Sequence, residues 1–412
     1  MTIIEIFFIS LPCVRTPFCA EKHTADVKHS IMKDSRFDDI RAYRDDEIPA
    51  AVERIASDPQ LESVARFAFS GLGINMVKAA IRACKTTSQI QRNIMYPVIR
   101  NIINATTEGF SSSGIEHISA QHGRMFISNH RDITCDAMLM QYVLFENNLP
   151  TTDIALGDNL MRSSLFIEIC KANNMILVIR KDGASPREFL ENSCHLSDYI
   201  RVRVTEDNRS VWIAQRNGRT KDGCDVTEPG IIKMLGMSGG SDLAENIGPL
   251  AICPVAISYQ YEPCDILKAI ELCRRRSEEP YQKRENEDLE SIITGIKQQK
   301  GRVHMAFCEP ISREDLEEIG QQPKANWCPL VAKLMDERIR KEYHLFDTNY
   351  IAHDILHNEH RFTDKYDHEA VNRFAAHLAK AEVQFAEAGV DTAAAREILL
   401  GIYANPVDAK NL

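Results

Sequence analysis

The run Phe126-Ile-Ser-Asn-His-Arg-Asp-Ile-Thr-Cys-Asp136 places a histidine between a short apolar segment and two carboxylates. An imidazole beside a carboxylate can take a proton from a hydroxyl at neutral pH, which makes His130 and Asp136 a candidate base and orienting acid. Asp132 competes for the orienting role, although two residues past the histidine it more naturally caps the following helix. Two cationic clusters come later. The apolar stretch Met175–Ile179 runs into Arg180-Lys181-Asp182-Gly183, and Val211–Ala214 runs into Gln215-Arg-Asn-Gly-Arg-Thr-Lys221. Arg180, Lys181, Arg216 and Arg219 are candidate anion ligands, since a guanidinium offers a planar fork to phosphate and an ammonium a point charge. Gly218 allows positive φ or close backbone approach, so amides there could hold a phosphate or oxyanion. The plainer reading of each cluster is a set of cations capping an exposed strand end.

The elements that must carry these residues alternate between residues 111 and 310. Strands are expected at Met125–Ile127, Asp153–Leu156, Met175–Ile179, Ser210–Ala214, Ala251–Ser258 and Val303–Phe307. Helical stretches such as Pro186–Tyr199 and Pro229–Leu235 lie between them. This predicts an α/β fold: a mixed, largely parallel sheet flanked by helices. In such sheets reactive groups gather at the carboxyl ends of the strands. Pro254, inside Ile252-Cys-Pro-Val-Ala-Ile-Ser258, marks an edge strand or a rigid pocket wall. One histidine and several arginines at one sheet edge suit the movement of an acyl group onto the hydroxyl of a phosphorylated alcohol.

Outside this core the chain reads as helical. Ile48, Val52 and Ile55 recur at helical spacing, as do Ile94, Val98, Ile99, Ile102 and Ile103. Such stripes pack against a main domain or lie in a membrane interface. The charge-dense stretch from Arg274 to Lys300 reads as a solvated insertion or exposed helix. The expected division is an extension at 1–31, with Met32 a candidate start, a helical region at 32–110, the α/β domain at 111–310 and a helical region at 311–412. At 412 residues, two or three structural units are the prior.

The net charge of −10 argues against a nucleic-acid binder, whose domain should be basic. Twelve scattered cysteines without a Cys-x-x-Cys pair suggest reduced thiols in a cytosolic setting rather than a disulfide scaffold or zinc ribbon. No run approaches the roughly 20 apolar residues of a spanning helix.

The order Asn129-His130-Arg131…Asp136, Ile179-Arg180, Gln215-Arg216-Asn217-Gly218-Arg219 and Cys253-Pro254-Val255 resembles the four blocks of the glycerolipid acyltransferases. These are the glycerol-3-phosphate and 1-acylglycerol-3-phosphate acyltransferases. Phe37-Asp-Asp-Ile-Arg-Ala-Tyr43 and Tyr403-Ala-Asn-Pro-Val407 resemble the flanks of a bacterial subfamily. The resemblance implies that His130 is the general base and Asp136 its orienting partner. It implies that Arg180, with Lys181, and Arg219, with Arg216, bind the acceptor phosphate, that Gly218 shapes the phosphate and oxyanion loop, and that Pro254 shapes the acyl pocket. The donor would be acyl-CoA or acyl carrier protein, with no cofactor or metal. The acceptor would be a phosphorylated glycerol or lysolipid, and the enzyme a peripheral protein on the cytoplasmic face of a membrane.

Two departures stand out. The interval between His130 and Asp136 is one residue longer than the family's usual spacing, and Asn217 stands where the family usually has Glu. Both features also fit a non-catalytic lipid-binding or scaffold protein on a degraded acyltransferase fold. His353, His357 and His360 sit at helical spacing, where a polar helix face is the default reading and a metal-dependent phosphohydrolase a rival one.

Overall fold

In this computed structural model, which describes residues 35–69, 72–160, 163–179, 185–276, 281–282, 284 and 287–411, seven strands pair into one sheet. They are β1 (Gly109–Ser113), β2 (Met125–Ser128), β3 (Asp153–Gly157), β4 (Met175–Val178), β5 (Val211–Ala214), β6 (Cys253–Tyr259) and β7 (Arg302–Phe307). Their order is β1-β7-β6-β2-β5-β3-β4, and every pairing is parallel except β6 with β7. Strands β6, β2, β5, β3 and β4 therefore run in one direction and share one carboxyl edge. This is the mixed, largely parallel α/β architecture that the alternating pattern implies.

The apolar runs become strands because both faces of a parallel sheet are covered. All of β2 and β6 is buried. The helix Cys135–Glu146 packs on the sheet with Leu139, Met140 and Val143, against Phe126, Trp212, Val255 and Phe307. Ile99 and Ile103 join the same core.

Three local readings change. Strand β1 has no apolar pattern, because it is an exposed edge strand whose Ser111 and Ser113 hydroxyls hydrogen-bond the His304 ring (2.8 and 3.0 Å). Ala251 has φ +46°, so β6 begins only at Cys253. Pro254 does not mark an edge: β6 lies between β2 and β7, with Pro254 opposite Ile127. The proline is tolerated because β7 stops pairing beside it. Pro254 O accepts the Cys308 amide (2.9 Å), and the Cys253 thiol takes the Cys308 carbonyl that a proline cannot reach (3.4 Å).

The charge-dense stretch yields a helix, Glu287–Lys297, that is not wholly solvated, since it buries Ser291 and Gly295. The helices Asp347–His357, His368–Glu387 and Thr392–Asn411 share a core with the helix Asp265–Arg275, built on Phe374, Phe385, Leu399 and Tyr403. Buried Asp265 ties them together. It accepts from His377 Nε2 (2.6 Å), the Tyr403 hydroxyl (2.6 Å) and Gln298 (3.1 Å). Residues 35–98 and 163–174 form a second compact unit. Its core unites Ile48, Val52, Ile55, Val77 and Ile81 with Leu165, and Arg54 grips Glu168 through two 2.9 Å bonds. Among the described residues no helix is long and apolar enough to cross a membrane.

Burial opposes the charge on His377, but the Asp265 carboxylate prevails and raises its pKa above the ordinary value. A raised histidine pKa contributes stability below the unfolded value of about 6.5 and loses it as pH climbs through the folded value. His377→Gln should therefore cost most stability at about pH 5.5 and clearly less at about pH 9. Urea unfolding of both proteins at the two pH values measures the difference.

Candidate active site

Strand β2 ends at Ser128, and the next three residues are pinned by the strands on either side. Asn129 closes a two-way amide contact with Ile257 of β6 (2.8 and 3.0 Å) and donates to Asp225 (2.9 Å). Trp212 of β5 donates its indole N–H to Ser128 Oγ (3.1 Å), and its ring meets His130 edge-on. The backbone at His130 therefore has little freedom.

His130 Nδ1 lies 3.0 Å from Asp136 Oδ2. Asp136 is fully buried, and its Oδ2 also accepts the amides of Arg131 (2.7 Å) and Asp132 (2.9 Å). Its Oδ1 accepts the Tyr259 hydroxyl (2.8 Å). Burial, with the Asp136 carboxylate alongside, pushes the Tyr259 pKa well above its ordinary range, so this tyrosine stays a donor. A carboxylate on Nδ1 selects the tautomer whose Nε2 carries a free lone pair. Asp132 takes the other role: its Oδ1 accepts the amides of Thr134 (2.8 Å) and of Cys135, the first residue of the helix (2.7 Å). Burial and the Asp132 carboxylate push the Cys135 thiol far up, which leaves it a poor nucleophile.

Arg131 is 1% exposed and runs back under the site. It donates to Asp225 (2.7 Å) and the Gly223 carbonyl (3.3 Å) and lies 3.4 Å from Glu262. Lys268 bridges Glu262 (2.6 Å) and the Arg131 carbonyl (2.7 Å). Two cations thus balance two carboxylates beneath the histidine.

The loop after β5 is bonded directly to this turn. Thr220 donates its amide to the His130 carbonyl (2.7 Å), and Gln215 its amide to Ser128 (2.8 Å). Gly218 has φ +75° with open space around its Cα, so its backbone conformation is what calls for glycine. Arg219 donates to Ser291 Oγ (3.0 Å), while its Nη1 is buried with no hydrogen-bond partner among the described residues, as is Arg216 Nε. No carboxylate pairs with Arg219 among the described residues. Arg219, Arg274, Arg284, Lys268 and Ser291 line a small, solvent-open cleft in whose wall Glu271, Glu287 and Glu290 also stand. Asn217 sits at the exposed tip, its amide 3.3 Å from Glu228. Gly295 is what lets the helix Glu287–Lys297 close on the turn, since a Cβ there would come within 2.0 Å of Asp132 Oδ2.

The structure thus brings His130, Asp136, Gly218 and Arg219 into one connected region at the carboxyl ends of β2 and β5. Arg216 lies in the same loop. Pro254 is buried in β6 and touches none of the hydrogen bonds of the His130 turn. Arg180 and Lys181 lie outside the described residues, after the carboxyl end of β4. Sequence reading missed Asp225, Tyr259, Glu262, Lys268 and Ser291. Only Gly295 had a local signal, as an isolated glycine in a helical pattern.

No family model matches the chain. Curated relatives do. A "Glycerol-3-phosphate acyltransferase" of Pseudomonas paraeruginosa (strain DSM 24068 / PA7) is 24% identical over 304 residues, covering 66% of this chain and 34% of its own length. Proteins of the same name from Ectopseudomonas mendocina (23% over 298 residues, 65% and 33%) and Pseudomonas syringae pv. tomato (26% over 270 residues, 61% and 30%) also match. The chain spans about a third of the length of these relatives. The solved 1-acyl-sn-glycerophosphate acyltransferase PlsC of Thermotoga maritima aligns with TM-score 0.37 and 10% identity, over 70% of this chain and 91% of that one.

Arg131→Met should leave Asp225 and Glu262 buried without their guanidinium. Breaking a buried pair from one side costs about 3–5 kcal/mol. Urea unfolding at neutral pH measures that loss, which should far exceed the change in an exposed control such as Arg313→Met.

Proposed function

We propose that this relative of the glycerol-3-phosphate acyltransferases is itself an O-acyltransferase, moving a fatty acyl group from a thioester to the hydroxyl of glycerol-3-phosphate or 1-acylglycerol-3-phosphate. The observation that carries the reading is the His130–Asp136 pair at a strand end, joined by one backbone bond to a loop whose Arg219 has no carboxylate partner among the described residues.

Asp136 holds the Nδ1 proton, so His130 Nε2 takes the proton of the acceptor hydroxyl as its oxygen attacks the thioester carbonyl. The C–S bond then breaks, the proton passes to the departing thiolate, and the imidazole returns neutral. No serine or cysteine nucleophile is needed. The acyl carbonyl acquires negative charge during attack, and the backbone of the Gly218 loop would receive it. Arg219, with Arg216, Arg180 and Lys181, binds the acceptor phosphate, and Pro254 stiffens the wall on the acyl side. The donor is acyl-CoA or acyl carrier protein, and the lipid product places the protein at a membrane surface. Phe189 and Leu190, 60% and 51% exposed on the helix that follows β4, support that location.

The decisive assay offers purified protein glycerol-3-phosphate or 1-acylglycerol-3-phosphate, each with labelled acyl-CoA and acyl carrier protein. Product should form with one acceptor, and His130→Ala should lower turnover by about 10²–10⁴-fold without loss of folding. A fully active His130→Ala protein would overturn the mechanism. A folded wild-type protein that binds lipid but forms no product would favour the scaffold reading. Arg219→Ala and Arg180→Ala should chiefly raise the acceptor KM, because they remove binding shared by ground and transition states. Tyr259→Phe, which takes one donor from Asp136, should lower kcat and leave KM nearly unchanged.

A further inference from the structure

His353 and His357 stand one turn apart on the helix Asp347–His357, with ring centroids 4.4 Å apart. Asp408 approaches them from the helix Thr392–Asn411. His353 Nε2 is 3.1 Å from Asp408 Oδ1, and His357 Nε2 is 3.9 Å from Asp408 Oδ2. One ligand atom from each of the three lies within 4.8 Å of the others. We propose that this triad binds a divalent transition ion of the zinc class and clips the two helices together.

The geometry suits such an ion. Nitrogen and oxygen ligands about 2.0–2.1 Å from a tetrahedral zinc are about 3.3 Å from each other. The two separations, one to each oxygen of the Asp408 carboxylate, fall on either side of that value. His357 and Asp408 have 42% and 51% of their side chains exposed, so they can close the remaining gap, and the ion has a path from solvent. His353 is the fixed point, with a side chain only 4% exposed.

The second observation lies behind His353. Its Nδ1 is buried without a hydrogen-bond partner among the described residues and lies 3.8 Å from Asp354 Oδ1. Asp354 is itself held in place by the amides of Arg361 (3.2 Å) and Phe362 (3.0 Å) and by the Tyr366 hydroxyl (2.8 Å). A metal-bound imidazole commonly points its other N–H at such a carboxylate, which fixes the tautomer and strengthens the ligand. Two imidazoles and one carboxylate also favour a borderline ion over calcium or magnesium, which prefer oxygen ligands throughout.

None of these residues belongs to the acyl-transfer region, so the role is structural. The clipped helix carries Tyr403, which accepts the Glu262 amide (3.0 Å) and donates to Asp265. Glu262 in turn faces Arg131 and Lys268 beneath His130.

The test uses the full chain, stripped with chelator, dialysed and titrated with Zn²⁺ or Co²⁺. Wild type should bind one equivalent, gain thermal stability and, with Co²⁺, show the visible bands of a low-coordinate nitrogen–oxygen site. His357→Ala and Asp408→Asn should weaken binding by at least about tenfold while the metal-free melting temperature stays near wild type. Because both side chains are exposed, folding is not at risk. Three results would overturn the proposal: no stoichiometric binding, unchanged affinity in both variants, or thiolate-to-cobalt charge-transfer bands that assign the ion to cysteines.

Discussion

The Asp136 carboxylate is the constraint on which the rest of the site depends. A fully buried charge is costly unless its lone pairs are met, and here two backbone amides, an imidazole and a phenol meet them. Those donors come from the turn after β2 and from β6, so the carboxylate can be satisfied only when the sheet is assembled in this order. The five residues between His130 and Asp136 form a turn that bends the amides of Arg131 and Asp132 onto Oδ2, while Asp132 caps the helix that delivers Asp136.

Beneath the turn lies a balanced set of buried ions. Arg131, Lys268, Asp225 and Glu262 compensate one another, and an arrangement of this kind specifies a unique packing more than it adds stability. It also carries the C-terminal helices to the site. Tyr403 binds both the Glu262 amide and Asp265, and Asp265 holds His377 from the helix His368–Glu387. The helical region after the sheet is therefore hydrogen-bonded to the residues that set the position of His130.

The cationic side is built differently. Arg219 is held by one serine hydroxyl, and among the described residues its buried Nη1 has no partner. An unpaired buried guanidinium N–H is unfavourable, so the loop is not built for stability at this point. Asn217 adds no charge to that loop, and nearby Lys221 takes its carboxylate from Glu271 on the helix Asp265–Arg275.

Much of this was legible in the sequence. The apolar runs Met125–Ile127 and Met175–Ile179 read as strands, although β4 is only partly buried, and the residues after β2 and β5 had the types that proton transfer and anion binding need. Asp136 rather than Asp132 could be favoured because a carboxylate so close to the histidine caps the next helix. Strand β1 was not legible, since an exposed Gly-Ser strand has no hydrophobic period to detect. Nor was the central position of Pro254, which depends on where β7 happens to stop. Asp225, Tyr259 and Glu262 lie some 95 to 132 residues from His130, and nothing in their own neighbourhoods marks them, while Gly295 shows only as an isolated glycine in a helical pattern. Asp408 meets His353 across 55 residues. By itself the sequence determined which segments bury and which residues can do chemistry, because periodicity and side-chain type are local. Tertiary structure alone decided which distant donors and charges complete each site, because a buried polar group is satisfied by whatever the fold brings within about 3 Å of it.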